Sequence, residues 1–566
     1  MTPHSEDLWA RLDALNTIGI ALSSEKDPQR LLELILLGAK RITRADGGTL
    51  YTLTPERTLE LAIVRTDSLG MAMGGTTGEP VPFPPVPLYN ADGTPNLHNV
   101  ASCAVLQDRT INIPDAYTAG EFDFSGTRDF DRDTSYRSRS FLTVPLKDHE
   151  GEAIGVLQLI NARRPGSGEP AAFSPADQRL AESLASQAAV ALSSQRLIVD
   201  MKRLFDSIVR LIATAIDAKS PHTAGHCARV PELTMRLADA AHRTQSGPLS
   251  GFQLNESDRY ELEIASWLHD CGKLTTPDHV MEKAAKLETL FDRIALIDTR
   301  FEVLMRDARI EYLEAQLASP EGPAADPALE RTYRERLASI EADRNFLRRC
   351  NIGSEEPMSE VEVERVHAIG AYRWRGPNGA EGDFLSNDEI TNLTIRRGTL
   401  TDDERQVINY HIVVTIKMLE SLPFPKHLAR VPEFAGGHHE RIDGRGYPRG
   451  LTGEQMSVQA RAMAIADVFE ALTDAGRPYK RELRLSEALK ILGTMSLNGH
   501  IDPDLFQIFV RDGIYLEYAQ RFLDPGQIDR IDETQIPGYA PVPPTPAGSS
   551  RHHPDAIPGL LRHCPG

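Results

Sequence analysis

Paired thiols are missing from this chain. Its five cysteines, Cys103, Cys227, Cys271, Cys350 and Cys564, are scattered, and no CxxC occurs. That excludes a disulfide framework and predicts a reducing compartment. Positive charge is also short: 62 Lys and Arg face 81 Asp and Glu, a formal net charge of −19. Nucleic-acid binding relies on clustered Lys and Arg, so no nucleic-acid polymer is expected as partner. A small anionic ligand remains open if cations converge locally. Long apolar runs are absent too. Leu31 to Leu37 is far too short to span a bilayer. Acidic Glu6 and Asp7 stand where a signal peptide would be basic and then apolar. The expectation is a cytoplasmic protein with no membrane partner.

Gly and Pro are missing from Ala176 to Ser220, and this absence is informative. Ser174-Pro175-Ala176-Asp177 opens a helix: Ser accepts from free backbone N–H groups, Pro fits the first position, and Asp suits the positive end. The run is roughly 65 Å if fully helical at ~1.5 Å per residue. Apolar residues recur at steps of four and three: Leu180, Leu184, Ala191, Ile198, Met201, Phe205, Ile208, Ile212 and Ala215. Heptad spacing predicts a parallel homodimer through the helix 173–217. One long helix packed on its own domain would read similarly.

With 566 residues, 41% hydrophobic and 25% charged, the chain calls for several domains. Residues 1–172 read as α+β. Helical periodicity covers Leu8 to Arg44. Strand candidates follow at Thr49–Leu53, Leu59–Val64, Thr110–Ile113, Ser140–Leu146 and Ala153–Ile160, the last two joined by a turn at Lys147–Gly151. Residues 218–525 read as all-helical, interrupted by an insertion, 286–398, predicted to be a helical hairpin plus a Gly-rich loop at Gly370–Gly382. The Pro-rich segment 526–566 is predicted to be disordered.

Chemistry concentrates in the helical part. His269-Asp270-Cys271-Gly272-Lys273 follows an apolar helical segment. Adjacent helix residues diverge by about 100°, so His269 and Asp270 reach one ion only near a helix end, which Gly272 supplies. Asp270 could bridge two metals, and Lys273 could meet a phosphate oxygen. His226 is a candidate ligand, with His222 four residues earlier as a further candidate. His411 lies beside an apolar stripe after Thr401 and Glu404, a capping-box pair; alone it would pass for a core histidine. Asp467 interrupts Ala462 to Phe469, where an unpaired carboxylate is costly. His438 and His439 need a loop or helix end, and Gly436-Gly437 gives that freedom. Glu440 is expected to orient a ligand. Arg477 and Lys480 add cations. Five imidazoles and two carboxylates suit Fe or Mn, with Zn as an alternative.

These residues, with Asp443-Gly444-Arg445-Gly446-Tyr447-Pro448 and Arg477-Pro478-Tyr479-Lys480, resemble the HD-GYP phosphodiesterases of the HD hydrolase superfamily. The resemblance covers about 218–285 and 399–520. It implies a helical fold, two or three divalent metals, and hydrolysis of cyclic di-GMP to linear pGpG and onward to GMP. It assigns metal binding to His226, His269, Asp270, His411, His438, His439 and Asp467, and substrate binding to Lys273, Gly444, Gly446, Tyr447, Pro448, Arg477 and Lys480. Asp270 and Lys273 would act in catalysis. Cys271 replaces a usual aliphatic residue, and His222 stands where some members carry a metal-binding Glu, leaving a third metal open. Residues 8–195 resemble a GAF domain, an antiparallel sheet with helices, on the run Ser138–Leu146 and Gly155–Asn161. Of the cyclic-nucleotide signature, Asn161, Phe173 and Asp177 fit while Ala162 and Gln178 depart. The GAF ligand is therefore open, between a small molecule and none. Two other readings of the helical part also stay open: a non-catalytic dinucleotide receptor, and a hydrolase of another cyclic dinucleotide or nucleotide phosphoester.

Overall fold

The computed structural model describes residues 3–219, 225–318, 327–354, 356–376, 379–474 and 483–541. Contacts divide the chain into two compact units, Met1–Phe205 and Asp206–Gly566.

The first unit runs α1 (Pro3–Ser24), α2 (Pro28–Thr43), β1 (Ala45–Leu53), β2 (Thr58–Thr66), β3 (Met71–Gly74), β4 (Val86–Pro87), α3 (Val100–Leu106), β5 (Ile111–Ile113), α4 (Ser125–Thr134), β6 (Phe141–Lys147), β7 (Ala153–Arg163), β8 (Pro170–Ala171) and the start of α5 (Pro175–Lys219). Asp27 starts α2 by accepting from the Gln29 and Arg30 amides, with Pro28 in the first turn. The sheet order is β3-β2-β1-β7-β6-β5, with β4 on β2 and β8 on β7. The β6–β7 hairpin pairs Phe141 with Ile160 and Val144 with Leu157, so the strands predicted around Lys147–Gly151 are present. Alternation splits β7 between the two faces. Leu157 and Leu159 join Leu31, Ile35 and Leu36 of α2 and Leu180 and Leu184 of α5 in one core. Val156 faces Tyr51, Leu59 and Ala101 on the other side.

The predicted seam on α5 needs correction. Leu180 and Leu184 are buried in the α2–sheet core and are not free to pair. Ile198, Met201 and Ile208 of the predicted seam are exposed, but so are Val190, Leu197, Val199, Leu204 and Leu211, with Leu197 59% and Leu211 67% exposed. The helix is apolar on more than one face, so spacing alone left the register ambiguous.

The second unit continues with α6 (His226–Arg243), α7 (Glu256–Leu268), a 3-10 turn (Cys271–Thr275), α8 (Asp278–Met281), α9 (Ile294–Ala318), α10 (Pro327–Asn351), α11 (Glu360–Gly370), β9 (Arg373–Arg375), β10 (Glu381–Asp383), α12 (Asn387–Leu393), α13 (Asp402–Asn409), α14 (His411–Glu420), α15 (Val431–Gly436), α16 (Val458–Thr473), α17 (Leu485–Leu497), α18 (Pro503–Arg511) and α19 (Ile514–Phe522). One core joins Val230 and Leu233 of α6 to Ile465 and Phe469 of α16 and to Leu489, Phe506 and Tyr518.

The insertion is a hairpin, as expected, but its second half is not a loop. Glycines masked the signal there: Gly379, at φ +74, lies in the turn of the β9–β10 hairpin. Phe384, Leu385, Val366 and Leu393 close on Phe301 and Phe346 of α9 and α10, giving the insertion its own core. The start of the Pro-rich tail is likewise packed. Ser486 donates to Asp529, and Ile536 is buried among the helices. Residues 542–566 lie outside the described residues. Among the described residues no helix is long and apolar enough to cross a membrane.

Candidate metal centre

Five segments of the second unit deliver donors to one place: the start of α6, the end of α7, the start of α14, the residues after α15, and α16. Helix α7 ends at Leu268, so His269 caps it and Asp270 begins the following turn; both side chains turn inward because regular helix has stopped. Gly272 lets that turn press on α14. A Cβ there would lie 2.0 Å from the His411 carbonyl oxygen, and the Gly272 amide donates to Thr415 Oγ1 at 2.9 Å. Buried Glu261 of α7 accepts from the backbone and side chain of Arg430, fixing the entry to α15, after which come His438 and His439.

Asp270 sits between two sets of imidazoles. Its Oδ2 lies 3.3 Å from both His226 Nε2 and His269 Nε2. Its Oδ1 lies 3.2 Å from His411 Nε2 and 3.9 Å from His438 Nε2. Asp467 closes the first set, with Oδ1 3.3 Å from His226 Nε2. His439 closes the second, its Nε2 3.2 Å from His411 Nε2. The donors thus form two groups, His226, His269 and Asp467, and Asp270, His411, His438 and His439, each with ligand atoms within 4.8 Å of one another.

Hydrogen bonds fix which ring nitrogens are available. The Nδ1 atoms of His269, His411 and His438 meet the carbonyls of Ser266, Ile408 and Ala435 at 2.7, 2.6 and 2.7 Å. A carbonyl only accepts, so each Nδ1 carries the proton and each Nε2 presents a lone pair to the centre. His226 Nδ1 is held by the Glu470 carboxylate, which Arg229 Nε pairs at 2.7 Å from its other side. Glu470 was missed in the sequence, although it stands three residues after Asp467 in the same apolar run.

This arrangement fits divalent cations. Asp270 Oδ1 and His438 Nε2 are buried without a hydrogen-bond partner. Burying such groups unmet costs several kcal/mol for an ion and ~1–3 kcal/mol for a neutral acceptor. Ligands bound at ~2.0–2.2 Å from one ion stand ~3–3.5 Å apart, and most of the spacings here are of that size. Burial pushes His438 down to about 4, so it is a neutral lone-pair donor at neutral pH. Burial would raise the Asp270 carboxyl, but the Lys273 ammonium beside it works the other way, and the carboxyl is held well below the carboxylate range.

The remaining expected residues are placed less uniformly. The Lys273 ammonium is paired to Asp270 Oδ2, with its side chain 22% exposed. The Tyr447 ring stacks on His439 with centroids 4.8 Å apart. Gly446 packs against the preceding backbone, where a Cβ would lie 2.4 Å from the Arg441 amide nitrogen. Gly444 turns at φ +74, and Pro448 follows Tyr447 in the same loop. Glu440 does not orient a ligand histidine: its two oxygens accept from the Arg449 and Leu451 amides at 2.7 and 2.9 Å, so it ties down the loop. His222, Arg477 and Lys480 lie outside the described residues.

Family models match in two places. An HD domain covers 387–505 and a GAF domain covers 27–192. The chain carries a GAF domain and an HD domain. The HD match takes in the Gly446-Tyr447-Pro448 loop, one of the stretches on which the resemblance was read. The HD match includes His411, His438, His439 and Asp467; His226, His269 and Asp270 precede it and reach the site through the fold. A cyclic di-GMP phosphodiesterase of Pseudomonas aeruginosa is 40% identical over 153 residues, 27% of this chain and 35% of that protein. A 3'3'-cGAMP-specific phosphodiesterase of Vibrio cholerae is 48% identical over 82 residues, 14% of this chain and 19% of that protein. The chain thus spans about a third of the first relative's length and a fifth of the second's. Among solved structures, the GAF domain of an Acinetobacter phosphoenolpyruvate-protein phosphotransferase is 16% identical, covering 34% of this chain and 98% of that one, with a TM-score of 0.24.

Proposed function

We propose that the HD domain is a two-metal phosphodiesterase that opens cyclic di-GMP to linear pGpG. The observation that carries this reading is Asp270, one carboxylate whose two oxygens face two separate sets of imidazoles. His226, His269 and Asp467 would hold one ion, and His411, His438 and His439 the other, with Asp270 shared. The imidazole-rich set favours Fe or Mn. The metals, when bound, supply Lewis-acid stabilisation of the phosphoryl group and activation of water.

The chain's own residues supply order around that chemistry. The carbonyls of Ser266, Ile408 and Ala435 lock three rings in the ligand tautomer. Glu470 and Arg229 orient His226. Lys273, at the edge of the site, places a cation where negative charge grows on the phosphoryl oxygens. Tyr447, stacked on His439, gives an apolar wall to the bound dinucleotide, with Gly444, Gly446 and Pro448 shaping the loop and Arg477 and Lys480 adding charge.

The exposed stripe on α5 supports a regulatory arrangement. Met201 and Ile208 take one heptad position, and Val190, Leu197, Leu204 and Leu211 the other, the Leu-rich pattern of a parallel two-stranded coil. A second copy of this chain is the partner we assign to it. The GAF domain would then sense a small molecule and act on the HD domain through this helix.

The test is anaerobic purification, metal analysis, and chromatography of products from cyclic di-GMP and, separately, 3'3'-cGAMP. The reading expects metal in the isolated protein and a linear dinucleotide from cyclic di-GMP. Binding without cleavage would make the protein a receptor. Cleavage of 3'3'-cGAMP alone would move the substrate.

A further inference from the structure

The last turns of α5 are fastened to the segments that carry one of the two donor sets. Asp206 Oδ1 accepts from the Tyr260 hydroxyl at 2.7 Å, and the Arg210 guanidinium lies 5.6 Å from the centre of the Trp267 ring. Both partners are on α7, the helix that His269 caps. Asp217 accepts from the Gly225 amide at 2.9 Å and from the Cys227 amide at 3.4 Å, so its carboxylate sits on the first turn of α6, where His226 begins the helix. Lys219 donates to the carbonyls of Lys273 and Leu274 at 3.2 and 2.8 Å and to that of Thr276. It also pairs Asp278 at 3.4 Å. Those carbonyls end the 3-10 turn that starts at Asp270. The partners of these four side chains all lie on α6, on α7 or on the turn and short helix that follow α7. His411, His438 and His439 stand on different elements.

We infer that Asp217 and Lys219 are positioning residues that couple helix α5 to the ion site formed by His226, His269 and Asp467, and reach the site of His411, His438 and His439 only through the turn of the shared Asp270. This inference rests on the two-ion reading above. The physical argument is one of leverage at short range. Lys219 meets the carbonyls of Lys273, Leu274 and Thr276 with one ammonium, and so ties together the end of the turn that follows Asp270. Asp217 places a negative charge at the start of α6, where free amides and the helix dipole favour it. Any slide or rotation of α5 must therefore break these bonds or carry the His226 turn and the Asp270 turn with it. His226, His269 and Asp270 all ride on the fastened segments, whereas the second set has Asp270 alone there, so a signal arriving along α5 would be read as a larger change in affinity for one ion than for the other.

The test is metal titration of the full-length protein with Mn2+ by calorimetry, together with metal analysis after dialysis against a defined free-ion level. Wild type is expected to take up two equivalents. Lys219→Met and Asp217→Asn should each weaken one equivalent about tenfold or more, the scale for groups that orient a metal ligand, while the second equivalent, reached through Asp270 alone, weakens clearly less. Lys219→Arg, which can still donate to the carbonyls, should restore the first equivalent. Thermal melting checks that each variant is folded. If Lys219→Met fails to fold, Asp217→Asn, nearly isosteric, decides. Two unchanged equivalents in a folded variant, or equal weakening of both, overturns the coupling. A wild type that binds no metal would instead sink the two-ion reading.

Discussion

At Asp270, two oxygens answer to different histidines, and this sets what substitutions there should do. Asp270→Ala removes the shared donor from both sets, so hydrolysis should vanish while the protein still melts cooperatively; retained turnover would refute the assignment. Glu470 acts one step back. Glu470→Gln keeps the size of the side chain but loses the charge that holds His226 Nδ1, and should weaken metal binding about 10–100-fold, read by competition with a chelator. Asp467 was legible in the sequence because a carboxylate inside Ala462 to Phe469 has no cheap explanation. Glu470, in the same apolar helix and buried, carried an equal signal. Its partner, His226, is 244 residues away, and no local spacing announces such a pair. Glu440 misled for the converse reason: a carboxylate beside two histidines looks like an orienting group, yet the nearest unmet donors were the amides of its own loop.

Elements meet at this site by backbone contact as much as by side chains. Gly272 is the clearest case. Gly272→Ala puts a methyl against the His411 carbonyl and must push the Asp270 turn away from α14. A loss of about 1–3 kcal/mol of stability is expected, with metal content falling alongside, measured by denaturant melts and metal analysis of the same samples. Helix α5 gives a second prediction at this scale. Charging its exposed stripe with Leu197→Glu and Leu204→Glu should turn a dimer into a monomer by light scattering, leaving the metal content unchanged. A double variant that stays dimeric would contradict the assigned seam. The presence of this helix was legible from the missing Gly and Pro, and the strands from their alternation and the turn at Asp148–Gly151. Its register was not, because residues spaced for a coil also serve the GAF core at Leu180 and Leu184. The fold of 356–398 was hidden by glycines that make a hairpin turn.

On the scale of the whole molecule, two units with separate cores should respond separately to loss of metal. A ligand bound only to the folded state at a hundredfold excess over Kd stabilises it by about 2.7 kcal/mol. Chelation should therefore lower the melting of the HD unit and leave that of the GAF unit in place, seen as one transition moving in calorimetry. The donors that make this so are spread from His226 to Asp467, and the fold brings them to one carboxylate. The most direct test is a crystal grown with Mn2+ and measured by anomalous diffraction. The account predicts two peaks, one bonded to His226, His269 and Asp467, the other to His411, His438 and His439, both touching Asp270. A single peak, or none beside Asp270, would contradict it.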